Sequence, residues 1–205
     1  MKAPLIAKLV FASDNPGKFR EVRELFRDSG LTLVPQSELG IASPEETGST
    51  FTDNALLKAR FAASASGLPA IADDSGITVD ALDGRPGVRS ARYAGDAASD
   101  EQNVDKLLEE MAQVPDEARG AGFHCAAVLA FPDEVRPPIC VEAVWRGTIL
   151  RERRGDGGFG YDPVFLDPQA GKSGAQMNRD DKNRVSHRGK AFRALKERIL
   201  ELRRN

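Results

Sequence analysis

The segment Ile71-Ala72-Asp73-Asp74-Ser75-Gly76 sets two carboxylates side by side at the end of a short apolar run. Adjacent acids repel each other and burial adds a desolvation cost, so a folded chain keeps such a pair near a cation or uses one member as a base. Ala70 to Ala72 and Ile77 to Leu82 are therefore expected as short strands on either side of an acidic turn. A solvated turn is the bland alternative for the Asp-Asp-Ser-Gly segment. A second acidic pair, Glu45-Glu46, lies upstream, and Ser13-Asp14-Asn15-Pro16-Gly17-Lys18 lies near the N-terminus. Acids for a metal, together with a glycine–lysine turn for phosphate, point to nucleotide chemistry.

The 205 residues fit one large domain, 1–205, with room for two lobes that share a core. Lys and Arg number 29 against 31 Asp and Glu, a net charge of −2, which demands neither a nucleic-acid nor an anionic-membrane partner. The longest stretch free of Asp, Glu, Lys and Arg runs from Gly120 to Pro132. That is short of the ~20 apolar residues a spanning helix needs. Lys2 precedes an apolar run, but Lys8 interrupts it and the phosphate-loop candidate follows, so a first strand is expected rather than a signal peptide. Cys125 and Cys140 form neither a disulfide framework nor a metal spacing. They read as reduced thiols in core strands, which suits a cytoplasmic protein.

Leu5 to Ala12 reads as a strand, and Pro16 is placed to open a helix. Phe19, Val22, Leu25 and Phe26 recur at helical spacing until Gly30 stops the pattern, and Leu31 to Val34 is a short second strand. Thr50-Phe51-Thr52-Asp53 resembles a capping box before an alanine-rich helix to about Gly67, which carries Asn54 and Lys58 one turn apart. Asp83 to Gly95 is a loop by composition, and Ser99-x-x-Gln102 caps another helix. Phe123 to Phe131 and Ile139 to Ile149 are the longest strand candidates. Residues from Arg188 onward form a basic amphipathic helix with Ala191, Phe192, Leu195 and Ile199 inward. Strand–helix alternation followed by long adjacent strands indicates an α/β protein with a mixed sheet.

Around Ser13 to Lys18, backbone N–H groups and a lysine gather at a helix start, where anions bind well. The spacing is not that of a Walker loop. Lys58 taken alone reads as a snorkelling surface lysine. In Gly157-Gly158-Phe159-Gly160-Tyr161-Asp162 the glycines admit a ligand close to the backbone, Phe159 offers a stacking face, and Asp162 can accept hydrogen bonds from a base edge. A tight hairpin with a core aromatic is the plain alternative. Ser186-His187-Arg188-Gly189 puts two donors at a helix start, a few residues after Lys182. No second His or Cys stands at ligand spacing from His187, so it reads as a hydrogen-bonding group, and His124 as a strand residue without a chemical role.

In order along the chain stand Ser-x-Asn-x-x-Lys, Glu-Glu-Thr-Gly, Phe-x-x-Asn-Ala-x-x-Lys-Ala, Ala-Asp-Asp-Ser-Gly, Ser-Ala-Arg-Tyr, Gly-Phe-Gly-Tyr-Asp-Pro and Ser-His-Arg-Gly. This succession resembles the inosine/xanthosine triphosphate pyrophosphatase family, from Leu9 to the final helix. Ser13 stands where many relatives carry threonine, and both supply a hydroxyl. The resemblance implies Mg²⁺-dependent hydrolysis of ITP, dITP, XTP and dXTP to the monophosphate and pyrophosphate. It also implies a long, curved mixed sheet flanked by helices, in two lobes with a central active-site cleft, and a homodimer.

Carried over by resemblance, Asp74 is the catalytic acid/base and a metal-side residue. Glu46, with Glu45, completes the Mg²⁺ site, and Asp73 holds the metal through water or orients the attacking water. Lys18, Lys58 and Lys182, with Ser13, Asp14, Asn15, Pro16 and Gly17, neutralise the phosphates, and Ser75 adjoins them. Phe159, with Gly160 and Tyr161, stacks on the purine, while Asp162, His187 and Arg188 address its edge. Arg92 and Tyr93 belong to a family motif whose role, in substrate contact, packing or a dimer interface, stays open. Rival readings are a pyrophosphatase of the related Maf-like type, acting on pyrimidine or modified nucleotides, and a nucleotide- or RNA-binding module using the basic tail from Arg179 to Arg204. The slightly acidic chain favours a solvated face for that tail.

Overall fold

A computed structural model describes residues 6–133 and 135–204. Leu5, where the first strand was expected to begin, lies outside the described residues. In chain order the elements are β1 (Lys8–Phe11), α1 (Pro16–Phe26), β2 (Thr32–Pro35), α2 (Phe51–Ser66), β3 (Ala70–Val79), α3 (Asp100–Glu110), β4 (Gly120–Ala130), β5 (Ile139–Ile149), β6 (Phe165–Asp167), β7 (Lys172–Ser173), α4 (Arg179–Val185) and α5 (His187–Arg204). The strands form one open sheet in the order β2-β1-β3-β4-β5-β6-β7. β1 pairs parallel with β2 and β3, whereas β6 pairs antiparallel with β5 and β7, so the sheet is mixed as expected.

The local signals act as their chemistry dictates. Asn15 caps α1, its Oδ1 accepting the N–H groups of Gly17 and Lys18 at 2.8 and 3.0 Å, and Pro16 follows at the first helical position. Thr50 caps α2 through the Asp53 N–H, and Gly67 ends it at φ 67°, a left-handed conformation that costs glycine little. The Ser99–Gln102 capping box opens α3 with both of its bonds formed.

The chain divides into two compact units. The first comprises the chain through Asp74, Cys125–Ala143 and the chain from Arg188; the second comprises Ser75–His124 and Val144–His187. In the first unit, alternate strand residues serve different cores. Leu9, Phe11, Ile71, Ala127 and Leu129 pack against Val22 and Phe26 of α1 and Phe192, Leu195 and Ile199 of α5. Val10, Ala12, Ala70, Ala72, Ala126 and Val128 pack instead on Ala55, Ala59, Ala62 and Ala63 of α2. This is the period-2 pattern of a sheet covered on both faces. In the second unit, Val104, Leu107 and Met111 of α3 pack with Ile77, Val79, Phe123, Trp145, Ile149 and Phe165.

Two sequence expectations are corrected. The acidic pair lies inside one continuous strand, β3, rather than in a turn between two strands. The helix expected from Arg188 onward is α5, and a shorter helix, α4, precedes it; Ser186 between them is extended (φ −68°, ψ 157°) while its N–H closes α4 on Lys182 O. Cys125 is buried in β4, but Cys140 is exposed on β5, where side chains alternate between core and solvent. Neither cysteine forms a disulfide.

Arg119, just before β4, is only 3% exposed. Its guanidinium donates to the carbonyls of Met111 (2.6 Å), Ile149 (2.7 Å) and Leu150 (2.9 Å), tying the end of α3 to the end of β5. Burial holds its pKa below the usual arginine value. Arg119→Leu would strand these acceptors, and unfolding by denaturant should show a loss of about 2–4 kcal/mol. Arg119→Lys should recover little of it, because an ammonium lacks the planar fork.

Candidate active site

Asp73 and Asp74 follow one another in an extended strand, so their side chains leave opposite faces of the sheet. Asp73 shares the face of Ile71, which is covered by α1 and α5. There its Oδ2 lies 3.0 Å from Lys18 Nζ and 3.3 Å from Arg188 Nε, and Arg188 Nη1 reaches Glu21 Oε2 at 2.7 Å. Burial disfavours the Arg188 charge, but the Asp73 and Glu21 carboxylates outweigh it and raise the pKa. Lys18 and Glu21 stand three residues apart on α1 and so share its inner face.

Asp74 shares the face of Ala70 and Ala72, which is covered by α2. Its Oδ2 accepts a hydrogen bond from Asn54 Nδ2 at 3.1 Å, and its Oδ1 lies 3.5 Å from Lys58 Nζ. Lys58 also donates to Glu46. The lysine is 6% exposed, so it is a buried ion-pair partner and not a snorkelling surface residue. Burial opposes its charge, yet Asp74, Glu46 and Asp73 together raise its pKa. For Asp74, burial dominates and raises the pKa, helped by the Glu46 carboxylate and opposed by Lys58, Lys18 and the Asn54 hydrogen bond. Asn54 is held at its other end, where Oδ1 accepts the Gly48 N–H at 2.7 Å. A Cβ on Gly48 would stand 2.6 Å from that oxygen, so only glycine lets the acidic loop approach so closely.

Glu46 and Asp74 thus converge on one cation, with oxygen donors only. Mg²⁺ is satisfied by one or two protein carboxylates, water and phosphate, and this donor set fits it. Glu45 is exposed, and Asp73 is engaged on the opposite strand face. Among the described residues no three His, Cys, Asp or Glu side chains form a metal-holding group. In the loop from Ser13 to Gly17, Ser13 Oγ accepts the Asn15 N–H, and Asp14 accepts from Gln36 Nε2 at 2.7 Å, while Ser43 and Gln36 lower its pKa.

The second unit holds the other predicted residues. Asp162 Oδ2 accepts the Phe159 N–H at 2.9 Å and pairs with Lys182 Nζ at 2.5 Å. Lys182 Nζ also lies 4.9 Å from the Phe159 ring centroid, in cation–π range. The Gly160 N–H donates to Asp100 Oδ2 at 2.7 Å, which fastens the loop to the start of α3. Tyr161 OH donates to Ser90 O at 2.8 Å, and burial raises its pKa. His187 is 4% exposed and stacks on Phe123. Lys182 therefore groups with Asp162 and Phe159, and Arg188 with Asp73 and Glu21. Ser75 is half-buried next to the acids in β3. Tyr93 OH donates to Glu110 at 2.7 Å, and burial with that contact pushes its pKa up to about 12; Arg92 sits in the preceding 3-10 turn.

The Ham1 family model matches residues 9–198. The chain belongs to the Ham1 family. It is 55% identical over 188 residues to the dITP/XTP pyrophosphatase of Pectobacterium atrosepticum, covering 92% of this chain and 95% of the relative. It is 54% identical over 195 residues to the enzyme of the same name from Methylococcus capsulatus, covering 95% and 97%. The structure of a HAM1 protein from Coxiella burnetii superposes with a TM-score of 0.87 at 44% identity, covering 95% of this chain and 98% of that one.

In this Ham1-family chain, sequence reasoning did not assign roles to Glu21, Gln36, Gly48 and Asn54. The three-residue spacing from Lys18 could have flagged Glu21, whereas Asn54 was placed one turn from Lys58 without a role. Gln36 carries no such local signal.

Because the pKa of Asp74 is raised, the stability it contributes is present below the ordinary value of 3.8 and is lost as pH rises through the folded value. In metal-free protein Asp74→Asn should therefore raise the melting temperature at neutral pH, and the gain should vanish near pH 3. Thermal unfolding of both proteins across that range, in chelator, checks the sign.

Proposed function

We propose that this chain hydrolyses ITP, dITP, XTP and dXTP to the monophosphate and pyrophosphate, with Mg²⁺, and so keeps deaminated purines out of DNA and RNA. The observation that carries the reading is a buried carboxylate, Asp74, held between Asn54 and Lys58 in a chain 55% identical to a dITP/XTP pyrophosphatase. In the metal-free chain burial raises the pKa of Asp74, and a positioned carboxylate of this kind is a group that serves as a general base. Asp74 takes a proton from the water whose oxygen bonds the α-phosphorus, as the bond from that phosphorus to the bridging oxygen breaks and pyrophosphate leaves. Lys18 and Lys58, with the capped loop from Ser13 to Gly17, balance charge on the phosphates. Asp74 and Glu46 would hold Mg²⁺, which supplies further charge neutralisation when bound.

Base recognition is assigned to the second unit. Phe159 stacks on the purine, Asp162 sets the height of that ring and of Lys182, and His187 donates to the 6-oxo group. A buried donor rejects adenine, whose amino group offers no acceptor there, by leaving itself unpaired. A Maf-like preference for pyrimidines is the competing reading, and a substrate panel separates the two. The same proposal carries a homodimer acting in the cytoplasm, with neither nucleic acid nor membrane as partner. No helix among the described residues is long and apolar enough to cross a membrane.

Incubation with dITP and Mg²⁺ should yield dIMP and pyrophosphate, and chelator should stop it; dIDP plus phosphate would mean attack at a different phosphorus. Asp74→Asn should lower kcat by roughly 10²–10⁴-fold with the fold intact by circular dichroism. Phe159→Ala should act mainly by raising KM for dITP, and an unchanged KM would remove the stacking role.

A further inference from the structure

His187 opens α5 as a buried residue, and its imidazole is a weakly determined group on its own. The torsion that rotates an imidazole about its bond to Cβ is broad, and the two ring nitrogens differ in what they donate. A histidine that reads one atom of a purine must therefore have its ring plane held from outside.

The structure contains such a holder. The Phe123 ring from β4 lies parallel to the His187 imidazole, with centroids 4.8 Å apart and 7° between planes. Trp145 from β5 lies nearly parallel beside both rings, 6.1 Å from Phe123 at 20° and 6.4 Å from His187 at 15°. Phe165 from β6 closes against the side of both, 4.7 Å from Phe123 at 58° and 4.8 Å from Trp145 at 61°. Such offset-stacked and tilted contacts are the geometries that aromatic quadrupoles favour. Trp145 cannot turn freely, because its Nε1–H donates to Asp167 Oδ2 at 2.8 Å. Asp167 is itself fixed, its Oδ1 accepting the N–H groups of Gln169 and Ala170 at 2.7 and 3.0 Å. Behind Phe165 there is no slack: a Cβ at Gly147 would lie 2.6 Å from its Cζ. Every member of the array stands on a strand, the kind of support that holds a side chain more closely than a loop does.

We infer that Phe123, braced by Trp145 and Asp167, is a positioning residue for His187 and so a determinant of base selectivity. The inference rests on the reading of His187 as the donor to the 6-oxo group. Phe123 touches no substrate in this scheme. It acts by limiting the tilt of the imidazole, so its loss should loosen recognition of the base while the phosphate chemistry continues.

The test compares Phe123→Leu, Phe123→Tyr and His187→Ala for steady-state hydrolysis of dITP and dATP, with proton NMR of the imidazole. The chain has only two histidines, so the His187 ring signals are readily assigned by loss in His187→Ala. Phe123→Leu should raise KM for dITP about tenfold with kcat little changed, and should cut the dITP-over-dATP ratio of kcat/KM by a similar factor. It should also remove the ring-current shift of the His187 protons, and Phe123→Tyr should restore all three readouts. Should Phe123→Leu fail to fold, Trp145→Phe, which keeps an aromatic in the core and removes the Asp167 anchor, should show the same changes at about threefold. Loss of selectivity in His187→Ala with full selectivity in Phe123→Leu, or no restoration by Phe123→Tyr, would overturn the positioning role and leave the base-reading role of His187 standing. Unchanged selectivity in His187→Ala would overturn both.

Discussion

The alternation of side chains along β3 turns an electrostatic liability into two separate ionic sites. Asp73 and Asp74 would repel strongly if they shared a surface, and either one buried alone would tend to hold its proton. One step along an extended strand sends them to opposite faces, and each face is covered by a helix that brings its own cation. Lys18 and Arg188 meet Asp73 under α1 and α5, and Lys58 meets Asp74 under α2. The small side chains of α2 follow from the same constraint. Alanines at 55, 59, 62 and 63 let the helix lie close enough to the sheet for Asn54 and Lys58 to reach a strand carboxylate.

The two ionic sites are also unequal, and that inequality has chemical meaning. Arg188 is answered by two carboxylates, Asp73 and Glu21, and its charge is locked in place. On the other face Lys58 is shared by Glu46 and Asp74, and burial leaves Asp74 with a raised pKa. A carboxylate with incomplete charge compensation suits a group that takes up a proton or a cation, whereas its fully compensated neighbour suits a structural tie. The second unit spends its rigidity differently, on loops and rings. A Cβ at Gly158 would stand 2.1 Å from Asp162 Oδ2, so the loop carrying Phe159 can close on that carboxylate only because glycine stands there.

Much of the architecture was legible locally. The helix start at Pro16, the caps at Thr50 and Ser99, the stop at Gly67 and the inward face of α5 all follow from short-range chemistry, and each appears in the structure. The acidic turn did not, because two adjacent aspartates read as a break in a strand to any rule that counts propensity. Only the partners on either side make the strand tolerable there. Lys58 misled for the same reason: a lysine among alanines looks solvent-bound until Glu46 and Asp74 are placed around it. The break at Ser186 carries neither glycine nor proline, so no breaker residue marks the boundary between α4 and α5.

The sequence by itself determined most element types and the ordered motifs that mark a Ham1-family chain, whereas the strand that splits Asp73 from Asp74 depended on the helices covering each face. Those element types and motifs depend on neighbours within a few residues, where spacing and covalent geometry leave little choice. Tertiary structure alone decided that Glu46 and not Glu45 meets Lys58, that Lys182 turns to Asp162 and Phe159, and that His187 rests on Phe123. It also paired Arg188 with Asp73 across a sequence separation of 115 residues. Contacts of that range come from strand order and from which helix covers which face, and no local pattern carries that information.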